Sequence, residues 1–145
     1  MRRILALSIF LLSVLHGAAQ DVTGTWGGYF SYEAGCVSLP QMIYLQLNQA
    51  ADSTITGYSS TCVSLGRNKY DTLVCEVKGW VKAGRVEIIE TGGIGPKSET
   101  ENMGLQRMKL KYRSAKNTIT LQGRWTEDKP SVCGSGNTGF KKLDE

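Results

Sequence analysis

Histidine is almost missing from this chain: His16 is the only one in 145 residues. It lies in an apolar N-terminal run that reads as a removable export signal, so the exported protein would carry no imidazole. That takes away the commonest general base near neutral pH and the commonest metal ligand. A serine nucleophile would have no histidine base, and no Ser-x-x-Lys pattern replaces it. Close Cys-x-x-Cys pairs are absent too, which removes the usual zinc frameworks. Glu33, Asp71, Glu76, Glu87 and Glu90 give no carboxylate pair that can be placed across a cleft, as two-carboxylate hydrolysis needs. The absences point away from an enzyme and toward a binding protein. No cofactor and no metal is implied.

No second apolar stretch approaches membrane-spanning length. The first one begins with Met1-Arg2-Arg3, runs from Ile4 to Leu15 and ends at Gly17-Ala18-Ala19. A short basic start, a short apolar core and small residues at its end make a signal peptide. Cleavage is expected after Ala19, leaving residues 20–145 as one domain. No cysteine follows the apolar run directly, so no lipid anchor is expected there. The destination is the periplasm or the cell exterior. The formal charge of +4 falls by two with the loss of Arg2 and Arg3. The remaining excess is too small to argue for nucleic acid.

All four cysteines, Cys36, Cys62, Cys75 and Cys133, follow the cleavage point. An even count in an exported chain reads as two disulfides. Four cysteines allow three connectivities. In a meander, alternate connections share one end, which places Cys36, Cys62 and Cys133 together and favours Cys36–Cys62. Cys75 lies within a strand on the face of Leu73 and Val77. It either reaches Cys133 or stays a buried thiol.

What the mature chain has in abundance is alternation with a period of two. Trp26, Gly28, Phe30 and Tyr32 alternate with Thr25, Tyr29 and Ser31. Ile43, Leu45 and Leu47 alternate with Tyr44, Gln46 and Asn48. Similar runs surround Ile55, Val77, Val86, Met108, Leu121 and Phe140. Half-buried antiparallel strands produce this pattern. Turn-like breaks at Gln49–Ser53, Lys82–Gly84 and Ser114–Asn117 separate them. No helical stripe longer than two turns, no repeat and no linker appears. The expected fold is all-β: about eight short strands in a single antiparallel up-and-down barrel, closed so that no edge is exposed. An open sandwich is the alternative.

Gly24-Thr25-Trp26 near the mature N-terminus, followed by a meander, resembles the calycin superfamily of lipocalins, fatty-acid-binding proteins and avidins. Leu121-Gln122-Gly123-Arg124-Trp125, a loop with Cys133 and a closing strand are similar to small exported bacterial lipocalin-like barrels. The likeness spans most of residues 22–143. It implies the barrel fold far more than any ligand. The chain departs from typical lipocalins in having no C-terminal helix, and it lacks a biotin-binding set.

Eight strands enclose room for packed side chains or for one small ligand. The inward positions expected to touch such a ligand are Phe30, Leu45, Val77, Ile88, Met108, Leu110, Tyr112 and Leu121. Gly28, Gly57 and Gly123 would either leave space or mark bends. A second candidate is the alternating set Arg107, Lys109, Lys111 and Arg113. These four project from one strand face as a basic ridge able to meet an acidic protein, an anionic polymer or a lipid surface. Trp80 shares the outward parity of Glu76 and Lys78 and is expected to be exposed. Thr91-Gly92-Gly93-Ile94-Gly95-Pro96-Lys97-Ser98 is not a phosphate loop, because Pro96 precedes Lys97 and a strand follows. It reads as a hairpin loop from Thr91 to Met103.

Two functions follow as expectations. One is a carrier of a small apolar ligand inside the barrel. The other is a protein-binding module, such as an enzyme inhibitor or an envelope assembly factor, that uses loops and the basic ridge.

Overall fold

A computed structural model describes residues 20–33, 36, 40–66, 69–94, 104–129 and 133–143. The proposed signal peptide lies outside them. Eight strands follow one another: β1 (Gly24–Tyr32), β2 (Gln41–Gln49), β3 (Thr54–Gly66), β4 (Lys69–Lys82), β5 (Arg85–Gly93), β6 (Gln106–Ala115), β7 (Thr118–Glu127) and β8 (Ser135–Lys142). Each pairs antiparallel with the next, and β8 returns to β1 to close a barrel. The all-β, up-and-down architecture expected from the alternation is the observed one. Closure satisfies the backbone groups that an open sheet would leave at its edges.

The inward face is the apolar one. Val22, Trp26, Ile43, Leu45, Leu47, Val86, Ile88, Met108, Leu121, Trp125 and Phe140 are buried in one continuous core. Two inward glycines stand against the backbone of a neighbouring strand. A side chain at Gly57 would collide with the Gln46 carbonyl, and one at Gly123 with the Lys109 carbonyl. These positions let neighbouring backbones approach closely.

The two barrel ends differ. At one end the strands join through tight hairpins. Ala83 and Gly84 both have positive φ, at 48° and 77°, which suits a two-residue turn matched to strand twist. The N-terminal segment lies across this end. The Gly84 amide donates to Gln20 Oε1 at 2.8 Å, and the Val22 amide donates to Gln49 Oε1 at 3.0 Å. The other end carries the Cys36–Cys133 disulfide, with Cα atoms 5.6 Å apart. It joins the β1–β2 connection to the β7–β8 connection, beside the seam where β1 meets β8.

Three expectations change here. Cys36 pairs with Cys133, not Cys62, and Cys62 and Cys75 are both free thiols. Cys62 does not follow β3; it lies inside it, opposite Thr72, on the exposed side. β3 runs on from Thr54 because it stays paired with β4 as far as Gly66. The β5–β6 loop begins later than Thr91, since β5 continues to Gly93. Residues 95–103 of that loop are outside the described set.

Candidate functional site

The expected ligand contacts all lie on the core side. Phe30, Leu45, Val77, Ile88, Met108, Leu110 and Leu121 are each at most 2% exposed. Tyr112 is half-buried and packs against them. These side chains pack together in the barrel core. At the disulfide end Phe30, Tyr32 and Trp125 stack edge to face, with ring centroids 5.2 to 5.8 Å apart.

Below that end the interior turns polar, which apolar alternation could not reveal. Ser59 and Thr61 of β3, Glu90 of β5 and Gln106 of β6 are buried. Ser59 Oγ donates to Glu90 Oε1 at 2.5 Å, and the Gln106 amide donates to Glu90 Oε2 at 2.8 Å. Burial pushes the Glu90 carboxyl above the usual carboxylate range; these two hydrogen bonds pull it down but do not cancel the shift. Burial, then the nearby Glu90, pushes the Cys75 thiol up to about 11. Cys75 is therefore an inert small hydrophobe rather than a nucleophile.

The raised carboxyl has a consequence for stability. The folded state holds the Glu90 proton more tightly than the unfolded chain does. Its contribution is thus most favourable below the ordinary carboxylate range and is lost as pH rises through the folded value. Each unit of upward shift corresponds to about 1.4 kcal/mol. Glu90→Gln should flatten this dependence and be more stable than wild type at neutral pH. Urea unfolding at acid and neutral pH checks it; a variant weaker at both would show that the carboxylate is well compensated.

The basic ridge is on the outside, where alternation put it. Arg107, Lys109, Lys111 and Arg113 of β6 are all exposed. The register adds partners that are distant in sequence. Arg85 of β5 lies opposite Lys111, and Arg124 of β7 lies opposite Lys109. Like charges directly opposite each other across a strand pair are destabilising. Glu87, opposite both Trp80 and Lys109, sits 3.5 Å from Arg107. Arg124 also pairs with Glu33.

Trp80 is 40% exposed on β4, as its parity required. It forms one wall of a surface groove of about 660 Å³, lined further by Arg85, Glu87, Lys109, Lys111 and Arg124. Arg85, Arg124 and Trp80 join the ridge only through strand pairing; no local sequence signal groups them.

No known protein family matches the sequence, and no curated protein matches it. Among solved structures the chain is similar to a redesigned beta barrel, with a TM-score of 0.53 and 15% identity over 85% of this chain and 91% of that one. This likeness establishes the fold: eight antiparallel strands in one closed barrel.

Proposed function

We propose that this is an exported, non-catalytic binding protein that grips an acidic segment of a protein partner in the groove around Trp80. The observation that carries the reading is the groove itself. It sets an exposed indole among Arg85, Lys109, Lys111 and Arg124. Two cross-strand pairs of like charge meet there, Arg85 with Lys111 and Arg124 with Lys109, with Glu87 the acid among them, and an acidic ligand would relieve them further. Tryptophan and arginine are also the residues that dominate protein interfaces. The Cys36–Cys133 disulfide agrees with an oxidising compartment. The barrel belongs in water on this reading, because outward lysine or arginine would cost about 2–4 kcal/mol each at a bilayer midplane.

An acidic peptide of glutamates, titrated while tryptophan emission is followed, tests the proposal. Trp26 and Trp125 are buried, so Trp80 dominates the response. Binding should weaken steadily as salt screens the charges. Trp80→Ala should weaken it about tenfold or more, the scale of an interface anchor. Lys109→Glu with Lys111→Glu should abolish it. Binding indifferent to salt and to these changes, or tighter binding of single-stranded nucleic acid, would reject the acidic-protein reading.

A small-molecule carrier of the calycin kind is the second reading. It is favoured by one feature: Gln41 Oε1 and Gln106 Oε1 are buried on the inward side with no hydrogen-bond partner among the described residues. A ligand entering the disulfide end could donate to them, with Phe30 and Leu45 behind it. Native mass spectrometry of the exported protein would show the adduct; a bare protein mass would remove this reading.

A further inference from the structure

The barrel changes sign between its outer surface and its disulfide end. Outward, β5, β6 and β7 carry the cations of the ridge. At the mouth, three carboxylates gather around Gln106. Its backbone amide holds Glu90 Oε2, and Glu127 of β7 lies opposite it. Asp128 follows and accepts from the Leu105 amide at 2.8 Å. Glu90 itself is 4% exposed. Among the described residues it faces the Ser59 hydroxyl of β3, the Cys75 thiol of β4, the Gln106 amide of β6 and the Asp128 carboxylate. None of these is a cation. The cations nearest in sequence point elsewhere: Arg107 pairs with Glu87 on the outer surface, and Lys129 is exposed. A bulge follows Glu90 directly. Thr91 is skipped in the register with β4, between the Val77–Glu90 and Glu76–Gly92 pairs. Bulges at barrel rims re-aim the side chains beside them.

Burying a carboxylate without a cation is costly. Each Glu90 oxygen takes one hydrogen bond from a neutral donor, half of what a carboxylate oxygen accepts. The Gln106 side chain beside it is 8% exposed, and its Oε1 has no hydrogen-bond partner among the described residues. Gln41 Oε1, at the same end, shows the same want of a donor. Every unmet group here is an acceptor. The rings of Phe30, Tyr32 and Trp125 stand at this end too, and aromatic faces attract ammonium groups. A metal ion is a poor fit, because no three His, Cys, Asp or Glu side chains among the described residues converge to hold one. We propose that the disulfide end of the barrel binds an organic cation, a primary ammonium on an apolar body, with the ammonium held between Glu90 and the Gln106 side chain. This rests on the small-molecule reading above and names the chemistry of its ligand. The ammonium supplies both the missing charge and the missing donors. Its apolar body lies against Phe30 and Trp125.

Calorimetric titration of the exported protein with three probes of equal tail tests this: octylammonium, octyltrimethylammonium and octanol. Octylammonium should bind tightest. The other two should be weaker by about tenfold or more, the scale of hydrogen bonds to a charged group. Glu90→Gln keeps the side-chain shape and should bring octylammonium down to the level of octanol. Gln106→Met keeps the backbone amide that holds Glu90 and should weaken octylammonium while leaving octanol unchanged. Should either variant lose its β spectrum, the order of the three probes on the wild-type protein decides. Octanol bound as tightly as octylammonium would overturn the ammonium site and leave the carrier reading standing. Octyltrimethylammonium bound as tightly would overturn it too, since that cation has no N–H to donate. So would octylammonium binding that survives Glu90→Gln. Binding of none of the three would overturn the carrier reading together with the site.

Discussion

Trp26→Ala should cost roughly 3–5 kcal/mol, the range for removing a large aromatic from a core. Trp26 is fully buried, beneath Val22 and among the inward residues of β1 and β2. Its Nε1 donates to the Val22 carbonyl at 2.9 Å. That bond ties the segment crossing the hairpin end to the first strand. Lys142 Nζ lies 5.8 Å from the ring centroid, so the indole also meets the last strand. Truncation leaves a cavity, an unpaired carbonyl and a loosened segment together. Trp26→Phe separates these effects. It keeps most of the ring volume and loses the hydrogen bond, so it should cost about 1 kcal/mol plus a smaller packing loss. Urea unfolding of the three proteins gives both numbers. A loss below about 1 kcal/mol for Trp26→Ala would mean that the indole sits at the surface.

Trp26 was legible because alternation marks every large apolar residue on an inward parity, and the strand order followed from hairpin-length breaks. Ser59, Thr61, Glu90 and Gln106 were not legible. Each is polar at an inward position, and a hydrophobic pattern reads such a residue as a gap. Glu90 in particular reads as one more unpaired acid, although its parity with Val86 and Ile88 points inward. The outer faces were half legible. Arg107 to Arg113 alternate within a single strand, so the ridge could be read locally. Arg85 and Arg124 join it only through the register of β5 and β7 against β6, and register cannot be counted from one strand.

The same limitation misplaced the disulfide, and its removal is the second large expected effect. Thr61, Cys62, Val63 and Ser64 lack apolar alternation, so the pattern ends β3 before Cys62. Pairing with β4 carries the strand on and holds Cys62 on the outside. The barrel instead brings together the parts of the chain farthest apart in sequence, at the seam between β1 and β8. Cys36 and Cys133 stand beside that seam, 97 residues apart. Ordering the seam means closing nearly the whole domain into a loop, the most expensive closure in the fold. For a loop of this length the chain-entropy account gives a stabilisation of about 4.7 kcal/mol. Cys36→Ala with Cys133→Ala should lose most of that, and reduction of the wild-type protein should lose the same amount. Cys62→Ser should change stability by about 0.5 kcal/mol or less, as an exposed position with no bond to lose. Denaturant midpoints of the four samples decide the matter. A large loss for Cys62→Ser and a small one for the double variant would put the covalent link at Cys62 and dissolve the argument from the seam.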